Sequence, residues 1–353
     1  SLVLQSLVWI YFNWTSMASL ESSIASIQHP IPSGFTPFTT AEDVMNGIDL
    51  TGKNAIVTGG YSGIGTESVR VLAAAGASVI VPARDVDRAK DALKDFKGKI
   101  EVIECDLSSQ SSIKAFVETV LARHEPVHVL INSAGIMALP EKNLDSRGLE
   151  LQWATNHLGH FQLTTGLLPA LRAAKGARVV CVSSGAHRTS DFIFDDPNFE
   201  NRAYTPWAAY GQSKSANVLF ALELDKREKQ NGIRAFSVHP GVIQTNLARH
   251  LPADFLKNAG FFDDDGKFIV QPESGFKSVP QGAATSIFGA VSPKLDGLGG
   301  VYLEDVDVAP ILEAENTPMP KIGVPSIRGV RVHAITDASA ERLWAFSEKI
   351  LSH

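Results

Sequence analysis

The chain has 353 residues, 44% of them hydrophobic and 20% charged, with 28 glycines, 18 prolines and 2 cysteines, a balance that excludes disordered, collagen-like and disulfide-stapled proteins. At this length folding hides roughly three quarters of the unfolded chain's surface, enough for one large α/β domain or two smaller ones. The 32 basic and 38 acidic residues leave a net charge of −6 with no basic cluster, which argues against nucleic acid as the main partner.

In chain order, residues 1–47 read as an N-terminal extension. The run Leu7–Phe12 is strongly apolar, but Asn13, Thr15 and Ser16 interrupt it and the first basic residue is Lys53, so neither an export signal nor a membrane anchor fits. Met17 opens a more ordinary soluble sequence, and residues 1–16 read as a leader or an appended segment. Asn13-Trp14-Thr15 matches a glycosylation acceptor, a chance match without an export route. From Ser22 to about Gly47, Pro, Ser and Thr predict an irregular lead-in.

From Lys53 onward short β-branched runs alternate with longer helical patterns, the order of a parallel sheet covered by helices. Strands are expected at Ala55–Val57, Val79–Val81, Ile100–Ile103, Val127–Ile131, Val179–Val182, Ala235–Val238 and Val301–Leu303, seven in all. Helices are expected at about 64–75, 86–96, 109–123, 148–174, 208–230 and 282–290, and a final amphipathic one over 338–351. Residues 48–353 form one domain in this reading, with a Gly-, Asp- and Pro-rich insertion at about 246–280 that shapes a site. Cys105 and Cys181 sit in separate strand-like runs, which points to a reducing, cytoplasmic location.

The first strand runs into Thr58-Gly59-Gly60-Tyr61-Ser62-Gly63-Ile64-Gly65, which opens a helix; such glycines let the backbone approach a pyrophosphate at the helix N-terminus. The second strand ends Val81-Pro82-Ala83-Arg84, with no acidic residue to hold a ribose 2′-hydroxyl. The planar fork of Arg84 suits a 2′-phosphate and favours NADP(H) over NAD(H); the alternative is a solvated arginine paired with Asp85 or Asp87. Asp106-Leu107 and Asn132-Ser133-Ala134-Gly135 end the third and fourth strands at the same crevice, although Asn132 also suits a plain turn.

Ser183-Ser184 closes the fifth strand, and Tyr210-Gly211-Gln212-Ser213-Lys214 opens the helix after it. Four-residue spacing puts Tyr210 and Lys214 on one helix face, where the lysine charge is expected to depress the phenol pKa. Asn156, in the long helix before the fifth strand, can hold a water or a kink that connects the lysine to solvent.

Thr58 to Gly65, Asn132 to Gly135, Asn156, Ser184 with Tyr210 and Lys214, and Pro240-Gly241 together resemble the short-chain dehydrogenase/reductase family, over about residues 50–350. Asn156-His157-Leu158-Gly159-His160-Phe161, Val182–His187 and Leu343–Ser347 are similar to its retinol-dehydrogenase and WW-domain-oxidoreductase branch. The resemblance implies a Rossmann-type doubly wound fold, a nicotinamide cofactor and reversible oxidation of an alcohol to a carbonyl. It implies Tyr210 as general acid and base, Lys214 tuning it and bonding the nicotinamide ribose, Ser184 rather than Ser183 on the substrate oxygen, and Asn156 in a proton relay. Gly59, Tyr61, Ser62, Gly63, Ile64, Gly65, Arg84, Asp106, Leu107, Asn132, Ala134 and Gly135 would then line the cofactor, with Pro240, Gly241, Val242 and Thr245 at its nicotinamide. Ser184 and Tyr210 stand farther apart than in the shortest members, through a loop that this branch also carries. A homodimer is open, since the helices that pair in many relatives are present.

Other patterns lead nowhere. His124-Glu125-Pro126-Val127-His128 matches a zinc-protease motif that needs an unbroken helix, which Pro126 forbids, so no metal is expected. His157, His160, His187 and His239 are explained by packing or by proton shuttling. Cys181-Val182-Ser183-Ser184-Gly185 lacks the first glycine of a hydrolase elbow. The expected activity is hydride transfer between NADPH and an apolar aldehyde, ketone or alcohol; Phe255, Leu256, Phe261 and Phe262 in the insertion either wall a pocket for it or merely pack. The alternative is an NADPH-binding sensor or scaffold without chemistry.

Overall fold

The β-branched runs do pair into a sheet. In a computed structural model describing residues 23–251, 260–313 and 320–352, the strands are β1 (Asn54–Val57), β2 (Ser78–Ala83), β3 (Lys99–Glu104), β4 (Val129–Asn132), β5 (Ala177–Val182), β6 (Ile233–His239) and β7 (Tyr302–Glu304). They lie parallel in the order β3-β2-β1-β4-β5-β6-β7. An eighth strand, β8 (Asp307–Val308), pairs antiparallel with β7, so the sheet has eight strands where the sequence predicts seven. Two residues carry too little pattern to read, and the turn before them, Asp305-Val306, lacks the glycine that usually marks such a hairpin. A separate parallel pair joins β9 (Ile311–Leu312) to β10 (Val330–Arg331).

The period of two along each strand fills two cores. Ala55, Val57, Val180 and Val182 face one, with α2 (Gly63–Ala74) and α9 (Val279–Val291). Ile56, Val179 and Cys181 face the other, with α4 (Gln110–Leu121), α6 (Gly159–Gly166) and α8 (Pro206–Glu228). Both faces are covered, which is why the central strands are largely apolar, while β3 at the edge keeps Lys99, Glu101 and Glu104 exposed. The remaining helices are α1 (Ala41–Met45), α3 (Val86–Leu93), α5 (Leu151–Trp153), α7 (Leu168–Ala173) and α10 (Asp337–Leu351).

Two further features differ from the sequence pattern. The helix expected over 148–174 is interrupted: α5 passes into a wide π turn, Ala154–Leu158, and a new start at α7 carries a proline in its first turn. Wide turns of this kind accommodate a residue whose polar groups are engaged elsewhere. The lead-in is also more ordered than its composition suggests. Thr40 and Asp43 form a reciprocal capping box that starts α1, while the buried Gln28 amide bonds Tyr302 N, Tyr302 O and Ala309 O, tying the lead-in to the start of β7 and the residue after β8. The apolar run at 7–12, Met17 and the Asn13 motif lie outside the described residues. Among the described residues no helix is long and apolar enough to cross a membrane.

Candidate active site

β1 ends at Val57, and from Thr58 the chain turns through Gly59, at φ 64°, before α2 begins at Gly63. A Cβ on Gly59 would stand 2.9 Å from Ala134 Cα, and one on Gly65 would overlap the Gly59 carbonyl oxygen. Only bare backbone fits here, and the first N–H groups of α2 receive no side-chain cap from Ser62. Thr58 Oγ1 accepts from Ser133 N at 2.9 Å and Ala134 N at 3.0 Å, and it meets His160 Nε2 at 2.8 Å. His160 Nδ1 in turn bonds Asn156 O at 2.8 Å. A carbonyl only accepts, so Nδ1 carries the proton and Thr58 donates to Nε2. Burial holds His160 near a pKa of about 4, so it is a fixed neutral strut between the glycine turn, the β4 exit and the π turn.

A cavity of about 1050 Å³ runs along the carboxyl ends of the strands. It is lined by Gly59, Tyr61, Ser62, Gly63, Ile64, Arg84, Asp106, Leu107, Ala134, Gly135, Ser184, Tyr210, Lys214, Pro240, Gly241, Val242 and Thr245, all singled out from the sequence. Three others stand behind it. Gly65 supports the turn, Asn132 donates to Thr164 Oγ1 at 3.0 Å, and Asn156 is buried beneath the wall. Asn156 clamps the wall: its amide accepts from Ile136 N at 2.8 Å and donates to Ile136 O at 2.9 Å and Ser213 Oγ at 3.0 Å.

At one end of the cavity Arg84 and Arg88 reach its lining without an ion pair among the described residues. Asp85 is occupied instead as the cap of α3, accepting from Arg88 N at 3.1 Å. Arg88, not singled out in the sequence, lies in the first turn of α3, whereas Arg84 stands in the bend before the Asp85 cap, so helical spacing does not link the two.

At the other end Ser184 caps the 3-10 turn Gly185–Thr189, accepting from Ala186 N at 3.1 Å, while Ser183 Oγ donates to Lys214 O at 2.8 Å. Lys214 Nζ donates to Val182 O at 3.1 Å and lies 5.5 Å from the centre of the Tyr210 ring. The expected depression of the phenol is not what this arrangement produces. Burial pushes Tyr210 up to about 12, a bond with the Ser184 side chain opposes that rise, and the lysine charge sits beside the ring face. Burial also brings Lys214 down to about 8.

Phe261 and Phe262 line this end as expected, and Phe255 and Leu256 lie outside the described residues. Trp207, Met137 and Phe268 join the lining without having been anticipated. Trp207 precedes Tyr210 by three residues on α8, a spacing that was readable; the other two depend on loop paths with no local signal. The segment His124–His128 leaves α4 with His124 at φ 54°, and His128 Nδ1 accepts from Asn54 N at 3.1 Å. His157 meets Ser347 Oγ at 2.9 Å, and the other buried histidines likewise make local bonds.

The profile of the short chain dehydrogenase family matches residues 53–255. The chain belongs to the short-chain dehydrogenase/reductase family. A "Probable oxidoreductase" of Streptomyces lividans is 43% identical over 309 residues, covering 86% of this chain and 99% of that one. Human "Retinol dehydrogenase 12" is 37% identical over 292 residues, covering 81% and 88%. A crystal structure of an uncharacterized protein from Mycobacterium paratuberculosis superposes with TM-score 0.64 at 32% identity, covering 86% and 95%. The chain is thus an oxidoreductase of the NAD(P)-dependent kind. The glycine turn that a Cβ would fill, the uncapped start of α2 and the long cavity suit the dinucleotide this family binds.

Proposed function

We propose that this dehydrogenase/reductase uses NADP(H) in preference to NAD(H) and reduces apolar aldehydes and ketones, with alcohol oxidation as the reverse reaction. The observation that carries the reading is the cavity's polarity: two arginines without an ion pair among the described residues at one end, a buried phenol beside a serine hydroxyl at the other, and phenylalanines beyond. Arg84 and Arg88 would bond a 2′-phosphate, where Ala83 offers no carboxylate to a 2′-hydroxyl. Gly59, Gly63 and the start of α2 would hold the pyrophosphate, and Pro240, Gly241, Val242 and Thr245 the nicotinamide. Lys214, with donors beyond the one given to Val182 O, would hold the nicotinamide ribose.

When bound, NADPH supplies the hydride. Ser184 would orient the substrate carbonyl oxygen, and Tyr210 would give that oxygen its proton. A phenol raised to about 12 stays protonated at neutral pH, the form that reduction needs. Phe261, Phe262 and Phe268 would exclude water and receive an apolar chain. No cluster of metal-ligating side chains occurs among the described residues. The two buried cysteines, both free, suit a reducing compartment.

The test is NADPH oxidation, followed by absorbance, with decanal, benzaldehyde and citral, repeated with NADH. Turnover with NADPH exceeding that with NADH, and highest for the apolar chain, is the expected result. Tight NADPH binding with no turnover would favour a sensor, and a preference for NADH would overturn the cofactor assignment.

A further inference from the structure

His239 ends β6 and lines the cavity between the two loops that frame its reacting end. Its Nδ1 accepts from Gly185 N at 3.1 Å and from Gly241 N at 3.4 Å. A ring nitrogen that accepts carries no proton, so the proton is on Nε2, which faces Glu304 Oε1 at 4.0 Å. Gly185 follows Ser184, and Gly241 belongs to the Pro240–Val242 turn. One unprotonated nitrogen therefore joins the serine side of the site to the nicotinamide side.

We propose that His239 is a positioning residue that couples the two loops, so that a nicotinamide seated on Pro240–Val242 also fixes Ser184 for the substrate carbonyl. The inference rests on the proposed function in taking these loops as the two halves of the reacting site.

The surroundings are built to hold this imidazole in place. Glu304 is committed elsewhere: both of its oxygens accept from Arg188 Nη2, at 3.0 and 2.7 Å, and Oε2 also accepts from Gly329 N at 2.8 Å. Arg188 belongs to the same 3-10 turn as Gly185. The next residue, Asp305, pairs with Lys277 at 2.5 Å and with Arg328 at 3.1 Å. The Lys277 stem lies against Gly241, where a Cβ would meet its Cδ at 3.0 Å. Both loops are thus gripped from outside by the carboxylates of one tight turn, in which Asp305 and Val306 adopt φ of 52° and 62°. A β-branched residue in that region is strained, and such strain persists where the surroundings impose it. Burial, with the Arg188 and Lys277 charges against it and Asp305 in its favour, takes protonation of His239 down to about 3, so Nδ1 stays an acceptor at any working pH.

Hydrogen–deuterium exchange read by mass spectrometry tests the coupling without a substrate. Saturating NADPH is expected to slow exchange at residues 184–189 about fivefold in the wild type, the scale of one hydrogen bond. His239→Leu, which has no acceptor, should bind NADPH and protect Gly59–Gly65 while leaving 184–189 within about twofold of the free protein. His239→Asn, whose amide oxygen reaches near the position of Nδ1, should restore the protection. Unchanged 184–189 in the wild type, full protection in His239→Leu, or none in a folded His239→Asn would overturn the proposal. Absence of NADPH protection even at Gly59–Gly65 would instead overturn the cofactor reading on which it stands.

Discussion

The two ends of the cavity are built by different physics. The end under β1–β4 presents backbone, a glycine turn and a helix start, braced from behind by the neutral Thr58–His160–Asn156 strut. The end under β5–β7 is made of side chains from distant segments. Arg188 meets Glu304 across 116 residues of sequence, and segments around 271–273 and 323–326 are stitched by Gly323 N to Gln271 Oε1 and Ser326 N to Glu273 O. Backbone sites bind what every dinucleotide shares, while side-chain lattices can be rebuilt for one substrate.

The largest effect expected from breaking this contrast is on the side-chain end. Arg188→Met leaves Glu304 buried and uncompensated, which should cost about 3–5 kcal/mol in urea unfolding. A loss under about 1 kcal/mol would mean that the lattice is decorative. At the backbone end Gly65→Ala should weaken NADPH binding by about 2–3 kcal/mol in a fluorescence titration, since the new methyl pushes on the Gly59 carbonyl. Unaltered affinity would show a turn softer than its packing indicates.

The legibility of the sequence follows the same division. The glycine turn, Asn132–Gly135 and the Tyr210–Lys214 pair each lie within a few residues of chain, so spacing alone places them. The central strands are readable because burial on both faces makes them largely apolar, and β3 because Ile100, Val102 and Ile103 still stand out among its charged residues. What stayed hidden depends on tertiary approach. The turn before two-residue β8 is held at Asp305 by Lys277 and Arg328 from distant segments, and Phe268 reaches the cavity through a loop whose path no local pattern encodes. The phenol's pKa direction is not legible in the sequence for a related reason: spacing puts Lys214 on the right face but does not show that Nζ is drawn to Val182 O or how deeply Tyr210 is buried.

Two smaller effects sharpen the contrast at the cofactor itself. Replacing Arg84 and Arg88 together by alanine should lower the preference for NADPH over NADH by about 10–100-fold, read from the ratio of kcat/KM values. An unchanged ratio would return both arginines to plain solvated residues. Lys214, brought down to about 8 by burial, loses its charge as pH rises through that value. NADPH affinity should therefore be level below pH 7 and fall above 8 by up to about tenfold per pH unit, and Lys214→Arg should flatten that profile. A wild-type profile flat to pH 10 would contradict the assignment of Lys214 to the cofactor.

The most direct test is Tyr210→Phe, which removes one oxygen from a buried ring and leaves the packing intact. With decanal and NADPH, turnover should fall at least about 1000-fold while the NADPH dissociation constant stays within about twofold, because the hydroxyl acts on the reacting oxygen and not on cofactor affinity. Turnover that survives in this variant would contradict the account.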